Sequence, residues 1–308
     1  DVEFTRYDFP MGLCLNYLLD GRGGIYAFCG NSLGVGGRIA FELTLFDDGL
    51  EKLDTYEVVR FPSLSLLRGD LPMNLGYFVM DHRGRVILVQ DKTTVAFVER
   101  ERDQLKSVQK WELREPLRRH LRRELGGATL EAFDDQSIAQ VFPAYDSGYW
   151  IMSLGAFEDG EVEAPAYAAF LSDDGRVRDI HVFRGEVVEN GITVDRSGAY
   201  VVTDRALYKL AFEEEIDVRW HEPYDRASRP KPGTLSKWGS GATPTLLGDD
   251  LVAFTDNAPG RIHLIVRERS SGRRVCKQPL FRAGKSANEN TVLAYGKSIV
   301  VQNWWDSP

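Results

Sequence analysis

One short pattern returns through the whole chain: an apolar run, a tight polar turn, a second apolar run and a polar stop. Asn16-Tyr-Leu-Leu turns through Asp20-Gly-Arg-Gly23 into Ile25-Tyr-Ala-Phe28. Leu75 to Met80 turns through Asp81-His-Arg-Gly84 into Val86 to Val89, followed by Gln90-Asp91. Gln140 to Tyr145 turns through Asp146-Ser-Gly148 into Tyr149 to Met152. Asn190 to Val194 turns through Asp195-Arg-Ser-Gly198 into Ala199 to Val202, followed by Thr203-Asp204. Thr243 to Leu247 and Leu251 to Phe254, then Thr255-Asp256, flank Gly248-Asp-Asp; Asn290 to Ala294 and Ser298 to Val301, then Gln302-Asn303, flank Tyr295-Gly-Lys. A chain that repeats one hairpin this often must stack it.

The unit has a plain physical basis. β-Branched and aromatic residues in runs of four to six suit strands. Asp followed by Gly supplies a side-chain-capped turn and the positive φ that a tight hairpin needs. The runs are apolar on both faces, so these strands are expected to be buried on both sides between packed sheets. Two further strands follow most hairpins, as in Thr94–Val98 and Ser107–Leu113, or Ala206–Phe212 and Val218–Trp220. Four antiparallel strands per repeat make the blade of a β-propeller. The repeats start at 16, 74, about 140, 190, 243 and 290, somewhat wider than the roughly 40–50 residues of familiar blades. The reading is therefore all-β: a single β-propeller domain over residues 1–308, with six blades visible. Too few residues follow Asn290 to finish the sixth. Val2 to Tyr7 is expected to serve as an outer strand that pairs with the blade containing Thr291 to Val301. One strand is still wanting, so either the ring closes imperfectly or the natural chain is longer, with a seventh blade; the second is favoured.

One segment breaks the pattern. Leu113, Leu117, Leu121 and Leu125 fall four apart, with Pro116 in the first turn and Gly126-Gly127 as the stop. That spacing predicts a short helix over 114–125, packed by its leucines, with its arginines in solvent. A partner- or anion-binding role for this basic helix is the alternative.

Acidic residues outnumber basic ones, 46 to 38, for a net charge of −8, which argues against a general nucleic-acid binder. No apolar run is long enough for a helical membrane span. The cysteines are Cys14, Cys29 and Cys276, with no CxxC and no Cys/His cluster, so a structural zinc site is not expected. Cys14 and Cys29 flank the first hairpin; a disulfide across it and two small core residues are both open readings. The chain starts at Asp1 without Met, which fits a processed export product or a trimmed chain, with a secreted or periplasmic location slightly favoured.

Two stretches resemble known families. Glu189 to Asp204 resembles a strand pair of six-bladed propellers of the gluconolactonase, paraoxonase and strictosidine-synthase-like type. In those families an Asn at the inner end of such a strand faces the central channel and binds a divalent cation, usually calcium. Gly239 to Gly248 together with Arg269 to Arg274 looks like a quinoprotein-type repeat. Those enzymes hold pyrroloquinoline quinone between a tryptophan and vicinal cysteines; this chain has no adjacent cysteines, so the resemblance implies ancestry and not that cofactor.

Inner strand starts converge on a propeller axis, which gathers Asn16, Asn74, Gln140, Glu189, Asn190, Thr243, Asn288, Glu289 and Asn290. Amide oxygens with one or two carboxylates suit Ca²⁺, which takes six to eight oxygen ligands; Asn16, Asn74, Glu189, Asn190 and Asn290 are the candidate ligands. Strand capping is the competing role for the same residues. Among five histidines, His221 opens a polar loop and is the best acid–base candidate, with Glu289 the catalytic carboxylate. Trp220, Tyr224, Arg226 and Trp238 bracket a loop stiffened by three prolines and carrying four basic residues; they are the candidate substrate contacts, suited to an organic anion or an aromatic ligand. No GxSxG elbow, phosphate loop, dinucleotide fingerprint or HExxH occurs. Two functions follow as expectations. The first is a small-molecule enzyme, most concretely a lactonase- or esterase-type hydrolase in which Ca²⁺ polarises the carbonyl and activates water. The second is a non-catalytic ligand- or protein-binding propeller; a quinoprotein-like oxidoreductase relative is a further alternative.

Overall fold

The structure is a computed structural model that describes residues 12–34, 37–62, 77–126, 130–134, 136–158, 161–234 and 238–306. Asn74 and the segment Val2 to Tyr7, with its expected pairing, lie outside them.

Among these residues the chain forms five four-stranded antiparallel sheets in succession. The first runs in order through β1 (Gly12–Leu19), β2 (Ile25–Gly34), β3 (Arg38–Phe46) and β4 (Lys52–Pro62). The second is β5 (Phe78–Met80), β6 (Val86–Val89), β7 (Thr94–Glu101) and β8 (Gln104–Glu112). Helices α1 (Arg114–Leu125) and α2 (Glu131–Asp134) follow. The third sheet takes β9 (Ile138–Pro143), β10 (Tyr149–Ser153), β13 (Tyr167–Leu171) and β14 (Val177–Val182), with a separate hairpin of β11 (Ala156–Glu158) and β12 (Glu161–Ala164) inserted. The fourth is β15 (Val188–Asp195), β16 (Gly198–Thr203), β17 (Ala206–Phe212) and β18 (Ile216–Pro223). The fifth is β19 (Thr245–Leu247), β20 (Leu251–Thr255), β21 (His263–Glu268) and β22 (Arg274–Pro279), and β23 (Leu293–Tyr295) pairs with β24 (Ser298–Val300). This is an all-β fold of the β-propeller type, each blade a four-stranded meander.

Burial follows strand position. The second strands β6 and β10 are buried at every residue, whereas the fourth strand β18 alternates between half-buried and exposed. In β16 the two-sided apolar run has a neighbouring sheet on each face, Ala199 and Val201 packing towards sheet three and Tyr200 and Val202 towards sheet five.

The chain divides into two compact units, residues 1–115 with 137–141, and residues 116–136 with 142–308. In the first, Tyr26, Phe28, Phe41 and Leu43 pack with Val86, Leu88 and Val98, joining sheets one and two. In the second, Trp150, Met152 and Phe170 pack against Val201, Tyr208 and Leu210, while Tyr200, Val202 and Leu207 meet Val252, Phe254 and Ile265.

The turn aspartates do more than cap. Asp20 accepts the amide N–H of Arg22 at 2.8 Å and of Gly24 at 2.7 Å, the Tyr26 hydroxyl at 3.1 Å, and faces Arg100 at 3.6 Å. Asp195 repeats the arrangement with Ser197 N at 2.7 Å, the Tyr200 hydroxyl at 3.0 Å and Arg269 at 3.3 Å. In both cases the arginine sits at the end of the third strand in the next sheet, so one carboxylate ties a hairpin turn to its neighbour. Burial pushes the Asp20 carboxyl up, but its amide, hydroxyl and arginine partners prevail and hold it below the ordinary value. The same burial, reinforced by the Asp20 charge, raises the Tyr26 phenol to about 12.

Helix α1 forms where expected. Leu113, Leu117 and Leu121 are buried, Gly126 takes φ +72° as its stop, and Arg114, Arg119, Arg122 and Arg123 are exposed. Arg118 instead pairs with Asp134 at 3.0 Å.

Cys14 and Cys29 are direct cross-strand partners and form a disulfide, while Cys276 is free and exposed. The bond closes a loop with a sequence separation of 15, which by chain entropy stabilises by about 3 kcal/mol. Replacing both cysteines by serine should therefore lower the denaturation free energy by about that amount. Reductant should weaken the parent protein similarly and leave the double variant unchanged; equal midpoints for reduced and oxidised parent would refute the contribution.

Candidate functional site

The inner strand starts of the second unit do converge. Asn190, early in β15, donates from Nδ2 to the carbonyls of Gly241 and, at 3.3 Å, Glu289. Its Oδ1 accepts the Gly191 amide at 2.8 Å and the Thr243 hydroxyl at 2.7 Å. Three successive repeats thus meet at one asparagine. Asn16 lies on β1 in the other unit, exposed and paired with Phe28.

The chemistry of this cluster is structural. Both lone pairs of the Asn190 carbonyl oxygen are occupied by protein donors. The Glu189 carboxylate accepts the amides of Trp238 at 3.2 Å and Gly239 at 2.5 Å. Asn290 donates to Gln302 at 2.9 Å, and Asn288 to Thr255 at 3.0 Å. Oxygens held in this way do not fit a calcium ion, which needs six to eight of them turned inward. Among the described residues, no group of three or more His, Cys, Asp or Glu side chains gathers to hold a metal.

The substrate candidates are held by the fold rather than brought to a common cavity. Trp220 donates from its indole to the Arg269 carbonyl at 3.0 Å, and its ring meets Gly272. The Tyr224 hydroxyl donates to the Thr203 carbonyl and accepts the Ser240 amide at 2.8 Å; burial raises its phenol well above the ordinary value. Arg226 pairs with the fully buried Asp204. Trp238 accepts Ala227 N at 2.9 Å through its carbonyl and sets its ring against Phe157 at 6.2 Å. His221 does not open a loop: β18 continues to Pro223, and His221 is an exposed member of that outer strand, stacked on Tyr208 at 5.3 Å. The strand extends because Leu207 and Ala206 of β17 still pair with Glu222 and Pro223.

The polar stops after the second strands prove to be organising groups. Asp204 accepts Val187 N at 3.0 Å, and Asn303 accepts Ala287 N at 3.2 Å. Asp256 accepts His263 N at 2.7 Å and also pairs with His263 Nδ1 at 2.9 Å. Burial pushes the Asp256 carboxyl up, against the pull of His263. Lys277 stands 3.6 Å from Asp256 and 2.6 Å from Asp225.

The proline-stiffened loop borders a cleft of about 800 Å³, walled by Arg229, Pro230, Lys231, Pro232, Ser286 and Trp305 among others. Among the described residues, none that lines it is acidic. Arg229 is exposed and forms no ion pair among the described residues. A second cleft of about 770 Å³ opens near the hairpin turns of sheets three and four, with Asp146, Asp195 and Glu213 set against Arg178, Arg196 and Lys209. Its charges balance, so it has no evident preference of sign. None of Trp220, Tyr224, Arg226 and Trp238 lines the first cleft, whose walls come from the loop between them and from Pro259, Gly260, Gly284, Ser286 and Trp305, which only folding brings together.

No protein-family model matches the chain, and no curated protein matches it. Solved structures similar to it include the Dos1 propeller, at 8% identity and a TM-score of 0.47 over 87% of this chain and 58% of that one. Luciferin-regenerating enzyme matches at 9% identity and a TM-score of 0.49, covering 94% of this chain and 83% of its own. Prolyl oligopeptidase B from Galerina marginata matches at 9% and 0.48, covering 94% of this chain and 37% of its own. The chain thus spans well under two thirds of the first and third of these. At such scores the fold assignment rests on the strand order and register of the chain itself.

Proposed function

We propose that this β-propeller protein binds a small organic anion with a flat or apolar body in the cleft beside Arg229 and Lys231. One observation carries the reading: on a chain of net charge −8, this cleft is lined by the Arg229 guanidinium and the Lys231 amine and, among the described residues, by no acidic side chain. Prolines and Trp305 supply the apolar surface that orients a ligand, and Arg229 selects its charge. Benzoate should quench or shift tryptophan emission on binding, with an affinity that falls as salt rises. Arg229→Ala should weaken it by about tenfold, the loss of one exposed charge-assisted contact. Equal binding of benzylamine, or of benzoate to the Arg229→Glu variant, would refute the proposal.

Hydrolysis is a second reading, with its own supporting observation. The Asp256–His263 pair fixes an imidazole tautomer with Nδ1 on a buried carboxylate, the arrangement that leaves Nε2 to act as a base towards water. The lactonase- or esterase-type activity implied by the gluconolactonase-like resemblance would then run through His263 and not His221. In its calcium-assisted form it would need Asn190 to release Thr243 or Gly191. Lactone hydrolysis that is lost in His263→Ala and kept in His221→Ala would support this reading; no hydrolysis by the parent protein would remove it.

A further inference from the structure

We propose that Lys231 is a nucleophilic amine that forms a Schiff base with an aldehyde or 2-oxo carboxylate held in the Arg229 cleft. The inference rests on the anion-binding reading of that cleft and adds a covalent step to it.

Three features of the site lead there. Lys231 is buried, at 9% exposure, yet forms part of the cleft wall. Its Nζ donates to the carbonyls of Ala258 at 2.8 Å and Ser286 at 3.2 Å, and no carboxylate pairs with it among the described residues. A neutral amine has two N–H groups and one lone pair, so two carbonyls satisfy its donors and leave the lone pair available; an ammonium would carry a third proton with no acceptor among the described residues. Arg229 and Lys231 each precede a proline, which restrains both backbones to extended conformations and stiffens the segment that carries them. Burial lowers the Lys231 ammonium to about 8, with only the Asp256 charge opposing. Near neutral pH a substantial share of this amine is therefore unprotonated, whereas a surface lysine of pKa about 10.4 is almost wholly charged.

The step balances without a redox partner. The Nζ lone pair forms a bond to the carbonyl carbon, and the π pair moves to oxygen, which takes one proton from nitrogen. The carbinolamine then loses that hydroxyl with the second nitrogen proton as water, leaving the imine. Once protonated, the iminium N–H can return to the Ala258 or Ser286 carbonyl. The ligand carboxylate is held by Arg229, which places the adjacent carbonyl carbon towards the amine.

Glyoxylate with cyanoborohydride tests this, because hydride traps only the imine and leaves a carboxymethyl group on the lysine. Peptide mapping at pH 7.5 should find Lys231 modified about tenfold or more faster than exposed lysines, since its free-amine fraction is so much larger. The rate should rise with a midpoint near pH 8. Benzoate should protect Lys231, and Arg229→Ala should slow its labelling without moving the pH midpoint. Lys231→Arg, checked for retained fold by circular dichroism, should lose the preferred adduct. If benzoate binds but Lys231 reacts no faster than surface lysines, the Schiff-base proposal is overturned and anion binding survives. If Lys231 labels preferentially and benzoate does not bind, the amine stands and the anion reading fails. If neither occurs, both are lost.

Discussion

Asp204→Ala is expected to cost the second unit about 3 kcal/mol of stability, the lower end of what removing one partner from a buried ion pair costs. The carboxylate is wholly buried, accepts the Val187 amide at 3.0 Å, and faces Arg226 and, at 3.8 Å, Arg205. Alanine leaves the N–H of the buried Val187, just ahead of β15, without that acceptor and removes the carboxylate partner of the Arg226 guanidinium. Arg226 is 35% exposed, so water recovers part of its loss, which is why the upper end of the range is not expected. Asp204→Asn retains an oxygen for Val187 and loses only the charge, so it should cost roughly half as much. Chemical denaturation followed by tryptophan fluorescence measures both, with an unchanged slope as the sign that the transition itself is the same. Equal losses for the two variants, or a loss under about 1 kcal/mol for alanine, would show that the buried ion pair contributes little.

How much of this was legible in the sequence depends on the range of each contact. The hairpins were, because Asp20 or Asp195 caps its own turn and Gly23 or Gly84 supplies the positive φ within four residues. Apolar runs marked the inner strands because a strand buried on both faces cannot alternate. The tie from Asp20 to Arg100, or from Asp195 to Arg269, was not legible: nothing near either arginine marks it as the partner of a distant turn. The inserted hairpin β11–β12 was missed because its apolar content is low and its second strand reads Glu-Val-Glu-Ala. His221 stood out because it adjoins a polar loop, yet its strand partner Tyr208 fixes it on the outer edge. The pairing of His263 with Asp256 follows from the turn between β20 and β21, which folds the carboxylate back on the ring. Asn190 recurs at an inner strand start, and that recurrence is what lets it bind three neighbouring repeats together. The Arg-Pro-Lys-Pro run from Arg229 to Pro232 was visible, but a neutral amine is a property of burial, and burial of Lys231 is supplied by Ala258 and Ser286.

Gly198→Ala should be the most damaging small substitution in the fourth sheet, at about 4 kcal/mol. Two penalties combine: an L-residue in a sparsely allowed conformation costs about 1–3 kcal/mol, and forced overpacking about as much again. Gly198 closes the Asp195 turn with φ +135°, opposite Asp195 in the register of β15 and β16. A methyl group there would penetrate the Leu210 carbonyl oxygen and lie 2.9 Å from its carbon and 3.1 Å from Ala211 Cα. These are backbone atoms of β17, whose Leu210 is fully buried, so relief requires moving the third strand away from the second. That movement would also disturb the Tyr200–Lys209 pairing and, with it, the Lys209 bond to the Arg269 carbonyl at 3.0 Å. Gly84 provides the control. It too follows its turn aspartate by three residues, with φ +77°, but it lies within the turn between β5 and β6, where a methyl meets nothing within 4 Å. Gly84→Ala therefore pays only for its left-handed backbone, about 1 kcal/mol. A difference of roughly 3 kcal/mol between the two variants is the expected result of urea unfolding, since only one of them carries the steric term. Equal losses would mean that the close approach of Gly198 to β17 relaxes freely, and that the turn is set by conformation alone.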